Sequence, residues 1–299
     1  TLDVNMPVMD GLTTLKHMMI KTPKPAVMIS TLTREGASVT FDALKYGAVD
    51  FIPKPSQVNG KGLEAQHEKI IRKVSMASRV ETKTIQYLRS IQLEYGFMES
   101  GELPVGKGVA LGASEGGYSS LLKIIPLLSP KIPAVFLAVL YAEPMYVDAF
   151  AKYLDTHSMI RVSRARNGER LAGGVCYLAS GDEYMTVEKA DGNFILQVNP
   201  NPFPNRKGAI NMLMMSVAET FREKSVGALL SGSGTDGLEG LREIMRQGGT
   251  GIVQDPKTCL CKEMPISALT GLKVKNIIPA REIAAGINQM ETEEWTLEI

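Results

Sequence analysis

The 299-residue chain exceeds the usual size of one compact core, and its 44% hydrophobic residues favour two globular domains. Its 33 Lys and Arg residues balance 32 Asp and Glu residues to leave a formal charge of +1, with no basic block suited to a phosphate backbone. This composition argues against nucleic acid as a partner. The sequence has neither an apolar run of about 18 residues nor a signal-peptide pattern. We therefore expect a cytoplasmic protein that is not membrane-embedded.

The three cysteines do not form a metal-binding pattern. Cys259 and Cys261 are separated by one residue, and Cys176 lies far away in the sequence. A structural zinc site typically needs two-residue spacing and a second pair of ligands. We expect three reduced thiols and no metal.

The first 60 residues have the pattern of a parallel βαβ unit. Apolar runs at residues 26–30 and 48–52 have the length and composition of strands. Residues 35–46 between them carry apolar residues at helical spacing and are followed by Gly47, a common residue just past a helix end. Two strands joined through a helix lie parallel in one sheet.

Three polar residues follow strand-like segments in this region. Asp3 precedes a Met-Pro turn, Ser30 ends the next strand, and Lys54 follows the one after it. The combination resembles the response-regulator receiver domain, a flavodoxin-like fold. The resemblance implies that Asp3 accepts a phosphoryl group, that Ser30 senses it, and that Lys54 contacts it as a point charge.

The resemblance also implies a requirement for Mg²⁺, with Asp3 as one ligand. Receivers of this type carry a pair of acidic residues after their first strand that hold the ion beside the phosphoacceptor, and charge neutralisation assists phosphoryl transfer. That strand is not in this sequence, which begins with Thr1. We expect a fragment of a longer, competent protein. The alternative is a receiver that cannot be phosphorylated.

The rest of the chain alternates strand and helix signals. We expect a truncated receiver over residues 1–60, a helical linker that includes the last receiver helix over 61–103, a catalytic-type domain over 104–290, and a tail over 291–299. Alternating strands and helices predict an α/β fold with a doubly wound parallel sheet. In such folds functional loops follow the carboxyl ends of the strands.

A glycine-rich turn places Ser114 between a predicted strand and a predicted helix. The segment Gly-Ala-Ser-Glu-Gly-Gly, residues 112–117, has the strand–turn–helix context that a nucleophile elbow requires. A phosphate-binding turn is the alternative. A dinucleotide fingerprint, however, would have glycine at position 114 and an acidic residue about 20 positions later. Asp236 follows another predicted strand in the segment 230–237 and would suit a catalytic triad.

The motifs GASEGG, YLASGDEYM, SGSGTDGLEG and QDPKTCLCKEMP resemble, in order, those of the chemotaxis protein-glutamate methylesterase family. The resemblance covers residues 105–285 and implies hydrolysis of glutamate methyl esters, with possible deamidation of glutamine, on methyl-accepting chemoreceptors. It also implies control by a chemotaxis histidine kinase acting through the receiver. It assigns Ser114 as the nucleophile and Asp236 as the residue that orients the base, and no cofactor to the esterase domain.

The histidine expected as general base is replaced. Counting back nine residues from Phe150, which matches a phenylalanine of the family, the family's histidine position falls on Tyr141. A tyrosine with its ordinary pKa near 10 is largely protonated at neutral pH. Of the three histidines, His17 and His67 belong to the receiver and linker, and His157 lies at the far end of the following helix. Tyr141 or water would have to replace the base.

Other departures lie around the same predicted pocket. Glu115 stands where the family has Thr, Ser233 where it has Met, and residues 208–211 depart from Pro-Ser-Ile-Asp. A carboxylate beside the nucleophile would oppose a developing oxyanion. Two hypotheses follow: an esterase with impaired chemistry, or a non-catalytic receptor-binding or phosphate-sink module.

Overall fold

The protein is described from a computed structural model over residues 1–30, 34–54, 61–80, 103–202 and 207–289. It divides into two compact units, Thr1–Gln92 and Leu93–Ile299. The boundary between the two units falls at residues that lie outside the described ranges. The domain and linker bounds expected from the sequence therefore stay predictions. Most of the linker's second half and the tail lie outside the described residues.

The first unit contains a three-stranded parallel sheet in the order β1-β2-β3. Its strands are β1 (Leu2–Asp3), β2 (Val27–Ser30) and β3 (Asp50–Pro53), and its helices are α1 (Gly11–Lys21), α2 (Arg34–Lys45) and α3 (Lys61–Ala77). The α1 helix begins where the Asp10 carboxylate accepts the backbone N–H of Thr13 over 2.8 Å. A carboxylate at this position satisfies one of the unpaired amides of the first turn.

Apolar residues from the sheet and helices form the core of this unit. Phe41 on α2 meets Phe51 on β3 edge to face, with ring centroids 6.0 Å apart. Leu15 and Met28 are also fully buried. The α3 helix is fastened to β3 by Lys73, whose Nζ donates to the carbonyl oxygen of Phe51 over 2.7 Å.

The second unit is built on a seven-stranded parallel sheet in the order β12-β11-β10-β4-β5-β7-β6. Its strands are β4 (Lys107–Ala113), β5 (Ala134–Leu140), β6 (Arg161–Arg164), β7 (Val175–Ser180), β10 (Ser225–Leu229), β11 (Thr250–Gln254) and β12 (Asn276–Ile278). Its helices are α4 (Gly117–Ile124), α5 (Pro144–Asp155), α6 (Ala209–Phe221), α7 (Leu238–Arg246), α8 (Glu263–Gly271) and α9 (Ala280–Gln289). The predicted α/β class and doubly wound parallel sheet are confirmed.

The central strands explain the apolar runs in the sequence. Every residue of β5 is buried, as are the residues of β4 after Lys107. A parallel strand covered by helices on both faces reads as a continuous apolar run because neither face meets water. The carboxyl ends of β4, β5 and β10 therefore stand beside one another at one edge of a rigid sheet.

An antiparallel hairpin that the sequence analysis did not predict lies outside the main sheet. It consists of β8 (Glu183–Ala190) and β9 (Asn193–Pro200), joined by Asp191 and Gly192. Both turn residues have positive φ, 49° and 77°, as a type I′ turn requires. The hairpin packs on α6, where the Thr220 hydroxyl donates to the carbonyl oxygen of Val187 over 3.2 Å.

None of the helices within the described ranges is long and apolar enough to cross a membrane.

Candidate active site

Ser114 occupies a sharp turn between β4 and α4. The turn closes through Gly116, which has a φ of +82°, a conformation that disfavours residues with a side chain. Gly117 allows the helix to approach the strand, because a Cβ there would lie 2.7 Å from the Cβ of Ala113. Ser114 is 4% exposed. Its backbone N–H donates to the carbonyl oxygen of Ser231 over 3.0 Å, which ties this turn to the loop after β10.

Asp236 lies in the loop after β10 and is held by backbone amides. Its Oδ1 accepts from the N–H of Asn211 over 3.1 Å and of Gly237 over 2.9 Å, and its Oδ2 accepts from the N–H of Ile210 over 3.0 Å. Two of these donors belong to the first turn of α6, whose amides have no partners within the helix. The positive end of the helix dipole also favours a carboxylate here. The role of the α6 N-terminus was missed by the sequence analysis, which noted residues 208–211 only as a departure.

Tyr141 follows β5 and closes over the same carboxylate. Its hydroxyl donates to Oδ2 of Asp236 over 2.7 Å and accepts from the N–H of Gly208 over 2.9 Å and of Ala209 over 3.2 Å. The phenol ring is packed against Gly181, where a Cβ would come within 2.1 Å of a ring carbon. Burial, the charge of Asp236 and the hydrogen bond to it raise the pKa of the Tyr141 hydroxyl. The hydroxyl is therefore protonated, and it donates its hydrogen bond to Asp236.

Glu115 reaches back over the nucleophile turn. Its Oε2 accepts a hydrogen bond from the Ser114 hydroxyl and another, of 3.1 Å, from the backbone N–H of Ser233. Burial alone would raise the pKa of Glu115, but hydrogen bonds from Ser114 and Ser233 and the nearby charge of Lys207 lower it to about 2. Lys207 also donates to the Ser233 hydroxyl over 2.9 Å and lies over the Tyr141 ring, 5.1 Å from its centroid.

Buried polar side chains behind the site fix the two loops that carry Ser114 and Asp236. Gln254, 1% exposed, accepts through Oε1 from the Ser231 N–H over 3.0 Å and from the Ser120 hydroxyl over 2.8 Å. The Ser231 hydroxyl in turn donates to the carbonyl oxygen of Glu115 over 2.7 Å. This network sets the position of the Glu115 backbone.

His157 is held at the end of α5 by local contacts. Its ring stacks on Tyr153 with centroids 4.1 Å apart, and its Nδ1 lies 2.7 Å from the carbonyl oxygen of the same residue. The described cysteines, Cys176, Cys259 and Cys261, are free thiols.

The first unit brings the three predicted receiver residues to one edge. The Lys54 ammonium contacts Oδ2 of Asp3 over 2.7 Å, and the Lys54 N–H donates to the carbonyl oxygen of Ser30 over 2.8 Å. The hydrogen bond from Lys54 lowers the pKa of Asp3. The Ser30 hydroxyl is buried and has no hydrogen-bond partner in the described part of the chain.

A divalent cation at this edge would have Asp3 as its carboxylate ligand. Within the ranges that the structure describes, no cluster of three or more His, Cys, Asp and Glu residues could hold a metal. Mg²⁺ is often bound by one or two carboxylates together with phosphate oxygens. Asp3 fits that role in part, and further acidic ligands would have to come from elsewhere.

The two folds and sites define a response regulator with a serine-hydrolase-like output domain. The family model for the response regulator receiver domain matches residues 1–60, and the model for CheB methylesterase matches residues 109–287. The chain belongs to the CheB methylesterase family, and it is a response regulator of the chemotaxis type.

Curated relatives and a solved structure agree with this assignment. The protein-glutamate methylesterase/protein-glutamine glutaminase of Pyrococcus abyssi is 36% identical over 286 residues, which cover 95% of this chain and 78% of the relative. Its namesake from Archaeoglobus fulgidus is 37% identical over 292 residues, covering 96% of this chain and 83% of the relative. The crystal structure of the Thermotoga maritima CheB methylesterase catalytic domain matches with a TM-score of 0.59 and 29% identity, covering 62% of this chain and 98% of that domain.

Proposed function

We propose that this protein acts on methyl-accepting chemoreceptors in the cytoplasm, with a methylesterase-type domain whose hydrolysis of glutamate methyl esters is impaired. In this proposal Ser114 is the nucleophile, Asp236 the orienting carboxylate, and Tyr141 occupies the position of the general base. Deamidation of glutamine, named for the relatives, would use the same groups. We also propose the domain bounds that the sequence predicts, in which the catalytic-type domain spans residues 104–290.

The observation that carries the proposal is the hydrogen bonding of the Tyr141 hydroxyl. To attack an ester carbonyl, Ser114 must give its proton to a base whose pKa lies near the working pH. The Tyr141 proton is directed at Asp236, and two backbone N–H groups approach its oxygen. Because its pKa is raised, the phenolate is not formed near neutral pH. Loss of the histidine in a comparable triad costs on the order of a millionfold in rate.

A non-catalytic module is the second candidate, and the orientation of the Ser114 hydroxyl favours it. That hydroxyl donates to Glu115 rather than to a base near neutral pKa. The retained fold and loops would then bind the receptor, or the receiver would draw phosphoryl groups from the chemotaxis histidine kinase without an output.

For the receiver, we propose Asp3 as the phosphoacceptor, Lys54 as the cation that contacts the phosphoryl group, and Ser30 as the sensing hydroxyl. Bound Mg²⁺ would neutralise charge on the transferring phosphoryl group. Asp3 would be one of its ligands only if a full-length protein carries the acidic pair that receivers of this type use. The Lys54–Asp3 ion pair keeps the acceptor carboxylate ionised.

The test is methanol release from methylated chemoreceptor, with the Thermotoga maritima catalytic domain as the reference. We expect a kcat/KM at least about a thousandfold below the reference, because general-base catalysis contributes about 10²–10⁴-fold. Tyr141→His should raise the rate about tenfold or more, and Ser114→Ala should abolish the gain. A natural rate within tenfold of the reference that vanishes in Ser114→Ala would contradict the proposal.

Receptor binding separates the two candidates. Slow release of methanol that requires Ser114 supports the impaired esterase. Receptor binding with no release above that of Ser114→Ala supports the non-catalytic module.

A further inference from the structure

One carboxylate oxygen of Glu115 lies at a position with a specific chemical meaning. Oε2 is hydrogen-bonded both to the Ser114 hydroxyl and to the backbone N–H of Ser233, the latter over 3.1 Å. When a serine attacks an acyl group, the developing oxyanion lies within reach of the nucleophile and of preorganised N–H donors. The Glu115 oxygen satisfies both conditions.

Glu115 is also the residue that directly follows the nucleophile. In nucleophile elbows the residue after the serine supplies one N–H of the oxyanion hole, and another loop supplies the second. Residue 115 has the first of these places, and the N–H of Ser233, from the loop after β10, is directed at a carboxylate that belongs to the protein.

The arrangement is fixed by its surroundings rather than by Glu115 alone. The Ser231 hydroxyl donates to the Glu115 carbonyl oxygen over 2.7 Å, which sets the backbone from which the side chain starts. Lys207 donates to the Ser233 hydroxyl over 2.9 Å and places a positive charge near the carboxylate. With a pKa of about 2, Glu115 is ionised at any physiological pH and remains an acceptor.

We propose that the Glu115 carboxylate is an internal occupant of the oxyanion site of Ser114, equivalent in chemistry to the glutamate product, and that it excludes the ester carbonyl independently of Tyr141. The inference deepens the proposed function and rests on it, because it takes Ser114 as the nucleophile. It identifies a second side chain that determines whether the site can react.

A rival role for Glu115 is that of general base, since it accepts the Ser114 hydrogen bond. Two observations oppose that role. A carboxylate with a pKa of about 2 is a weak base for a serine. The oxygen that would take the proton also accepts the Ser233 N–H, so it would still fill the place that the oxyanion needs.

The test is the rate at which a fluorophosphonate probe labels Ser114, because the phosphonyl oxygen must enter the oxyanion site. We compare the natural protein with Glu115→Thr, with Tyr141→His, and with Tyr141→His combined with Glu115→Thr or with Glu115→Ala. Ser114→Ala is the blank. The matched control combines Tyr141→His with Glu263→Thr, which removes a carboxylate that accepts the N–H of Gly234 over 3.0 Å. Thermal unfolding of each variant identifies those that are folded.

We expect both Glu115 combinations to label about tenfold or more faster than Tyr141→His alone, since one oxyanion donor is worth about 10²–10³ in rate. The Glu263 combination should label at the rate of Tyr141→His. Equal labelling with and without Glu115 in folded variants would overturn the inference. Slower labelling of Glu115→Thr than of the natural protein would also overturn it, because it would show that Glu115 acts as a general base. Failure of the proposed function would appear differently, as rapid labelling and methanol release by the natural protein.

Discussion

The Tyr141 hydroxyl donates a hydrogen bond of 2.7 Å to Oδ2 of Asp236 at the carboxyl edge of the sheet. The two side chains come from loops 95 residues apart in the sequence. Asp236 also receives three backbone N–H groups, and Tyr141 receives two. These hydrogen bonds connect the loops after β5 and β10 to the N-terminus of α6 and stabilise that junction. In an active triad, by contrast, the residue at the position of Tyr141 would be a base that is free to accept a proton.

Replacing Tyr141 by Phe tests whether this hydroxyl is structural. We expect the free energy of unfolding to fall by about 1–3 kcal/mol, because Asp236 and the Gly208 and Ala209 amides lose a buried partner. Methanol release should stay at the natural level. Chemical denaturation measures the first effect.

Tyr184→Phe is the matched control, because within the described residues the Tyr184 hydroxyl has no hydrogen-bond partner. This variant should change stability by less than about 0.5 kcal/mol. A fall in methanol release in Tyr141→Phe, with stability unchanged, would mean that the hydroxyl acts in catalysis.

Asp236→Asn should be strongly destabilising. Asp236 is 4% exposed, and its oxygens accept one hydroxyl and three backbone N–H groups. An amide group would direct its own N–H groups at these donors, so we expect a loss of about 2–3 kcal/mol in thermal or urea unfolding.

Asp148→Asn provides the comparison. Asp148 is 54% exposed and pairs with Arg164 over 2.7 Å. Exposed ion pairs contribute about 0–1 kcal/mol, so this variant should lose less than about 1 kcal/mol. Equal losses in the two variants would show that the amides around Asp236 do not depend on its charge.

The low pKa of Glu115 predicts an acid-sensitive contribution to stability. The folded-state pKa, about 2, lies below the ordinary value of 4.5. A depressed carboxyl pKa stabilises the folded state above the unfolded pKa, and this contribution is lost as pH falls from about 4.5 through about 2.

Glu115→Gln should therefore lower stability more at pH 6 than at pH 2.5, by about 1–3 kcal/mol measured in urea. Glu263→Gln, measured at both pH values, is the control for replacing a carboxylate by an amide. A cost of Glu115→Gln that is equal at both pH values would show that the hydrogen bonds to Glu115 do not favour its ionised form.

The sequence predicted the sheet well because its strands are buried on both faces. The apolar runs of β4 and β5 and the glycines around Ser114 are local signals, and the structure has strands and a sharp turn there. The hairpin was missed although Asp191-Gly192 is a strong turn signal. Its strands carry polar residues and pack on a helix rather than in the main sheet.

The contacts within the candidate site were less accessible to sequence reasoning. The sequence shows that a carboxylate, that of Glu115, is adjacent to Ser114. It does not show the hydrogen bond from the Ser233 N–H to that carboxylate, which joins residues 118 positions apart. That contact depends on how two loops meet at the sheet edge, which no local pattern determines. The hydrogen bonds from the α6 N-terminus to Tyr141 and Asp236 likewise depend on how distant segments meet, so no local pattern predicts them. The catalytic roles of Ser114, Asp236 and Tyr141 remain predictions.

The most direct test of the central claim is methanol release from methylated chemoreceptor by the double variant Tyr141→His with Glu115→Thr, measured beside the natural protein. The account predicts that the double variant is about a hundredfold or more faster, because it regains a base and opens the oxyanion site, each worth about tenfold or more. Adding Ser114→Ala should remove that activity. A natural protein as fast as the folded double variant would contradict the account.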